Sequence, residues 1–389
     1  MSDDNASGAE VHREQWVGLP VIAAQWGRIG CIGFGGPPTH ISLLRALCVQ
    51  QRGWLTPTEF EDGIAATNLL PGPASTQLAI WCAWRMRGAT GAILGGLCFI
   101  LPGLIVVLGL AALLLSAHPP LWVVGASAGA GAAVPAVAAH AAAGLIPASW
   151  KRAAPHRIRW ALYLLAGGTA AALTGPWVVL ILLGCGLVEV SIRTPTRALP
   201  LLLTPAAAGT AGGLGAVAWV AAKVGALSYG GGFVIIPLMQ HDAVHTYHWM
   251  TDGQFSAAVA LGQITPGPVV QTVAVVGYAA AGLGGGLLAA LTAFAPSFLF
   301  VLAGGPHFDR LRATPRIQAF LTGAGAAAIG AIGGSTIPLA MALTRYWQVG
   351  VLALAAVALL AARRGVVMTL LCSAAIGVVL ALSGAPVPR

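Results

Sequence analysis

The sequence predicts an all-α polytopic membrane protein with about 10–13 spans, made of two homologous, inverted repeats with broken helices. Three observations predict it. Of 389 residues, 57% are hydrophobic and only 8% are charged, whereas a soluble domain carries about 25% charged residues. The chain therefore cannot wet a protein surface and belongs in lipid. A second observation is an internal echo at a spacing of 195 residues: Gly33-Phe34-Gly35-Gly36 matches Ser228-Tyr229-Gly230-Gly231, Trp54-Leu55-Thr56 matches Trp249-Met250-Thr251, and Pro71-Gly72-Pro73 matches Pro266-Gly267-Pro268. Glycine and proline breaks inside apolar segments, present twice, are the mark of a repeat-built transporter. The third is the loop charge, which is displaced by one crossing between the halves.

The elements follow in chain order. Residues 1–15 are polar, are expected in the cytoplasm, and lack the basic start and apolar core of a signal peptide. The first repeat, 16–198, holds apolar stretches at 16–35, 63–84, 89–116, 121–147, 160–174 and 177–190. Residues 199–210 form a linker or a partial crossing. The second repeat, 211–389, holds stretches at 211–240, 255–281, 283–304, 318–342, 349–361 and 366–382. Several are shorter than the roughly 20 residues of a straight span and read as tilted, half-spanning or paired helices.

Orientation comes from Lys and Arg. Arg85 and Arg87, then Lys151, Arg152, Arg157 and Arg159, then Arg193 and Arg197 occupy alternate loops of the first half, all expected in the cytoplasm. In the second half the counterpart of the Arg85/Arg87 loop, Gly282 to Gly286, is uncharged, and Arg310, Arg312 and Arg316 fall one loop later. The net charge of +9 thus reports topology; no nucleic-acid partner is expected. Cys31, Cys48, Cys82, Cys98, Cys185 and Cys372 have no paired spacing and read as free packing thiols.

Candidate binding residues cluster at the breaks. Pro37 and Pro38 stop one helix and permit the next to start, and Gly33, Gly35 and Gly36 allow backbone N–H groups to converge. The start of a half-helix there aims its positive end at an anion. Tyr229, Gly230, Gly231 and Gly232 repeat the break. At the second break, Pro71, Gly72 and Pro73 are flanked by Asn68, Thr76 and Gln77; in the twin, Pro266, Gly267 and Pro268 are flanked by Gln263, Gln271 and Thr272. Such side chains suit an oxyanion that needs many donors, or helix–helix hydrogen bonding. Arg28 and Lys223 hold a cation at the same point of each repeat, for ligand binding or for snorkelling to the interface. His40 beside the first break is a candidate donor or proton carrier. Glu59, Glu61 and Asp62 read either as carriers of a coupling proton or as a solvated helix start. His241, His245 and His248 offer metal-type spacing in one repeat only, so a resident metal is not expected.

On these residues, together with Leu70 and Leu101-Pro102-Gly103, the chain resembles the chromate ion transporter family in its long, two-domain form. The resemblance spans about residues 16 to 382. It implies a multi-pass protein of the inner (cytoplasmic) membrane that exports chromate and confers chromate resistance, with sulfate as the look-alike dianion. The second copy departs from the family pattern: Ser228 and Tyr229 stand for Gly-Phe, and Gly232 stands for Pro37. The mechanism expected is secondary alternating access, with no cofactor and no enzyme activity. No nucleotide-binding motif is present. An oxyanion channel is the alternative, and a metal-cation transporter using His241, His245 and His248 a more distant one. The partners expected are the oxyanions, the lipid bilayer and a second copy in a homodimer.

Overall fold

Proline and glycine decide where the helices start, stop and turn back. The computed structural model describes residues 16–68, 70, 72–154, 156–173, 178–193, 213–228, 235–304 and 314–387. Among them every regular element is helical. In the first repeat α1 spans Leu19–Ile32 and ends at Gly33. Gly36, at φ +75°, caps α2, Pro37–Arg45, whose two prolines occupy the first turn, where no amide hydrogen is needed. A π turn, Ala46–Gln51, closes α2. Thr56 and Glu59 form a capping box at the start of α3, Pro57–Thr67. After the break at Gly72 and Pro73 comes α4, Ala74–Leu114, followed by α5, Leu121–Arg152, α6, Arg157–Leu173, and α7, Val178–Arg193.

The second repeat runs in the same order: α8, Leu214–Leu227; α9, Ile235–Gln240, with a π turn, His241–Thr246; and α10, Asp252–Ile264. A 3-10 turn, Val269–Gln271, leads into α11, Thr272–Gly304. Then follow α12, Pro315–Gly334, α13, Thr336–Met341, α14, Tyr346–Ala356, and α15, Val366–Leu382. The repetition reaches single hydrogen bonds. The capping box recurs as Thr251 with Gln254, and the Leu55 N–H to Cys48 carbonyl bond recurs from Met250 to Ala243.

Two of the longest helices are hairpins. At Arg87–Gly88 and again at Ala281–Gly282 the backbone leaves the helical region, the glycines at φ +59° and +61°. Gly91 lies on the Ala83 carbonyl and Gly285 on that of Gly277, so the arms before and after each bend pack antiparallel. The first arm of α4 is therefore a half-span of ~20 Å, which puts the Gly72 break near mid-depth of a bilayer core ~30 Å thick. The expected boundary between the stretches 63–84 and 89–116 is this bend, and the first of those stretches is itself divided by the break.

The twin bends lie 194 residues apart, whereas the first breaks and the π turns lie 195 apart. One residue is lost in the tighter 3-10 turn at Val269–Gln271. Gln77 therefore corresponds to Gln271, and Thr76 to Val270. That corrects the gap-free pairing of Thr76 and Gln77 with Gln271 and Thr272.

The long helices exchange partners. Gly125 and Gly129 of α5 lie against Gly377 and Ser373 of α15, while Gly330 of α12 lies against Leu164 and Gly168 of α6. α12 runs alongside α6, and α6 folds back from α5, so the twins α5 and α12 run in opposite directions. The short stretches expected at 160–174 and 177–190 are the pair α6 and α7 packed on α12. In lipid such contacts rest on close backbone approach. A Cβ on Gly330 would overlap the Leu164 carbonyl oxygen, whereas one on Gly184 would meet open space. Gly330→Ala should lower stability by about 1–3 kcal/mol and Gly184→Ala should leave it unchanged, as read by thermal unfolding in detergent. Equal melting of the two variants would refute tight packing of α12 on α6. The expected linker at 199–210 lies outside the described residues.

Candidate functional site: two crossed helix breaks

Each repeat's first break touches the other repeat's second break. The Gly267 N–H donates to the Gly33 carbonyl at 3.0 Å, and the Gly72 N–H donates to the Ser228 carbonyl at 3.0 Å. These are the same contact made twice, since Gly33 corresponds to Ser228 and Gly72 to Gly267. The sequence spacing brought out four breaks; the described residues Gly33, Gly72, Ser228 and Gly267 meet in these two reciprocal contacts.

The conformations explain the residue types. Gly35, Gly36, Gly72 and Gly267 all have positive φ, which L side chains rarely adopt. A Cβ on Gly72 would sit 2.5 Å from Gln77 Nε2 and 3.2 Å from Ser297 Oγ; one on Gly267 would sit 3.1 Å from Gln271 Nε2. The two glutamines thus lie over their own breaks. Gln271 also ties its break to α4, donating from Nε2 to the Ile100 carbonyl at 2.8 Å. Gly103 of α4 admits the Pro266 carbonyl, because it has no side chain there. Pro73 and Pro268 accept the first N–H groups of the following helices, from Thr76 and Gln77 and from Gln271.

His40 is fully buried at the crossing. Its Nε2 lies 2.9 Å from the Gly33 carbonyl and its Nδ1 3.2 Å from Ser75 Oγ. A carbonyl only accepts, so Nε2 carries a proton. The ring also packs edge-on against Phe99, with centroids 5.0 Å apart. Sequence reasoning overlooked Ser75, which α4 places beside His40 at its first turn.

Around the crossing are buried side-chain atoms with no hydrogen-bond partner among the described residues: Thr76 Oγ1, Ser228 Oγ, Gln263 Nε2, Gln271 Oε1 and Ser297 Oγ. Each such atom costs about 1–3 kcal/mol if it stays unpaired. Several in one place mark the crossing as the candidate site. Thr76, Ser228, Gln263 and Ser297 can all donate.

Other expected site residues fall elsewhere. Arg28 is exposed, and Lys223 is ion-paired with Asp242 while its ammonium lies over the Trp219 ring. Among the described residues neither bonds to a break. Asn68 is exposed at the end of α3. Glu59 closes the capping box and pairs with Arg85, Glu61 pairs with Arg45, and Asp62 is exposed. Gln254 makes the same cap as Glu59 without a charge. His241 and His245 have ring centroids 5.6 Å apart, whereas His248 Nδ1 faces the Val244 carbonyl. Among the described residues no group of three or more His, Cys, Asp or Glu side chains is placed to hold a metal. Pro71 and the Tyr229, Gly230, Gly231 and Gly232 break lie outside the described residues.

The comparisons agree with the two-part plan. The family model described as Chromate transporter matches residues 21–190 and 215–378, one block in each repeat. The "Chromate transport protein" of Cupriavidus metallidurans is 34% identical over 373 residues, covering 92% of this chain and 91% of the relative. A "Probable chromate transport protein" of Synechococcus elongatus is 31% identical, over 80% and 82% of the two chains. A "Chromate transport protein" of Pseudomonas aeruginosa is 32% identical, over 82% and 81%. No solved structure matches. With both repeats matched and relatives aligned along most of their length, this multi-pass membrane chain belongs to the chromate transporter family.

Proposed function

We propose that this chain exports chromate across the cytoplasmic membrane by alternating access, with sulfate as a competing ligand, and so confers chromate resistance. The observation that carries the reading is the crossing itself: two reciprocal backbone bonds ringed by buried hydroxyl and amide atoms that lack partners among the described residues. A tetrahedral dianion would satisfy them. Neutral donors and the starts of half-helices would then hold the charge, as at other helix-terminus anion sites. Arg28 stands about 8 Å of helix rise from its break and would act through its field in a medium of low dielectric, whereas the Lys223 charge is offset by Asp242. His40 and the Gly33 carbonyl would form one wall. The site is buried, so the Gly33–Gly267 and Gly72–Ser228 bonds would part in turn as access alternates. The relatives named as chromate transport proteins point to the substrate.

Everted membrane vesicles test this. Labelled chromate should accumulate, unlabelled sulfate should compete, and an imposed pH gradient should change the rate if protons are the coupling ion. Flux that neither saturates nor concentrates chromate against its gradient would favour a channel instead.

The repeats would be inverted in the membrane, a reading supported by the antiparallel run of α5 and α12. Single cysteines at Thr90 and at Gly284, beside the two hairpin bends, should then label from opposite sides of intact cells. Equal labelling from outside would defeat the inversion.

A further inference from the structure

A second polar site lies away from the breaks. The start of α6, the end of α7 and the start of α12 meet around a cavity of about 520 Å³ lined by His156, Arg159, Ile192, Arg193, Pro315 and Gln318. Its basic groups are fixed from behind by one acid. Glu189, 1% exposed, accepts hydrogen bonds from Arg159 Nη2 at 3.3 Å, Arg193 Nε at 2.5 Å and the Tyr163 hydroxyl at 3.0 Å. Among the described residues one carboxylate faces two guanidiniums, which leaves the cluster an excess positive charge. The Arg159 and Arg193 side chains stay 25% and 33% exposed. Among the described residues Arg159 Nε is buried with no partner.

Helix packing does not require this cluster. Gly323 of α12 lies against the Cys185 carbonyl and Glu189 Cβ; its twin Gly129 of α5 lies against the Ser373 carbonyl and Gly377. Glu189 thus corresponds to Gly377, and the second repeat makes the same helix contact with no ionic group at that place. A buried ion pair is seldom worth its desolvation for stability alone. Two guanidiniums held side by side at an open cavity match the oxygens of a phosphate-like group.

We propose that this cavity binds a tetrahedral oxyanion group, either the phosphate of an anionic lipid headgroup or a free dianion, with Arg159 and Arg193 as its ligands and Glu189 as the residue that positions them and limits the affinity. The claim is independent of the crossed breaks. The test uses the full purified chain in detergent and measures equilibrium binding of labelled sulfate and of phosphatidylglycerol at the cavity, in the parent, Arg193→Gln and Glu189→Gln. Arg193→Gln should weaken binding at least tenfold. Glu189→Gln should strengthen it about tenfold, because it removes the competing carboxylate; a residue with a purely structural role would give no gain. Sulfate as the ligand that responds identifies a free oxyanion, and phosphatidylglycerol identifies the lipid source. If Arg193→Gln does not fold, Glu189→Gln decides alone. Unchanged binding of both probes in Glu189→Gln would overturn the proposal and leave the cluster as a helix-end anchor.

Discussion

Ser297→Ala, Ser228→Ala and Thr76→Val should each make the unliganded protein more stable and, at the same time, less protected by chromate against thermal unfolding. Each hydroxyl is fully buried and lacks a partner among the described residues, so removing it relieves a desolvation cost of about 1–3 kcal/mol. Bound chromate would use the same hydroxyl in a hydrogen bond to a charged oxygen, worth about 1.5–3 kcal/mol. Its loss means binding weaker by roughly ten- to hundredfold, and ligand protection falls accordingly. Ser335 is the internal control. It is equally buried but donates to the Ile332 carbonyl at 2.7 Å, so Ser335→Ala should bring no gain in stability and no loss of protection. If the three hydroxyl variants are destabilised and keep full chromate protection, the hydroxyls belong to packing and the site lies elsewhere.

Gly72→Leu and Gly267→Leu should abolish transport while the protein still inserts in the membrane. Both positions have strongly positive φ, where a Cβ costs about 1–3 kcal/mol. At Gly72 the added carbon also meets Gln77 Nε2 and Ser297 Oγ. The strain falls on a residue whose N–H makes the crossing bond to Ser228, so relief by backbone movement opens the crossing itself. Gly53 has φ +60° and open space around it. Gly53→Ala therefore carries a similar backbone cost away from the crossing and should transport normally. Vesicle uptake normalised to inserted protein reads all three; parental uptake by Gly72→Leu would reduce the breaks to packing features.

The breaks and the repeat were legible because both depend on local backbone chemistry. Pro37, Pro71, Gly72 and their twins restrict or free the chain wherever they occur. Ser297 was not legible. It lies within the continuous apolar stretch 283–304 and matters only because α11 carries it to Gly72. The one-residue slip was hidden because Pro266-Gly267-Pro268 keeps the 195 spacing and the loss follows it. The outward place of Arg28 has a simpler reason. Ile22, Trp26, Ile29 and Gly30 form the buried face of α1, and residue 28 falls off that face at 3.6 residues per turn. Lys223 looked like its equal, but its partner Asp242 corresponds to Leu47 in the first repeat, so comparing the twins could not reveal the ion pair. The Glu189 cluster was passed over because its arginines served as topology markers.

The exchange of long helices also has a consequence in time. Gln348 of α14 donates to the Ala128 carbonyl of α5 across 220 residues of chain, and the glycines of α5 close on α15 later still. At the usual 5–20 residues per second, the ribosome needs roughly ten to forty seconds to supply those partners. Through that interval α5 stands in the bilayer with its glycine-lined side uncovered. The first half is thus born incomplete, and its long helix settles only when translation is almost over.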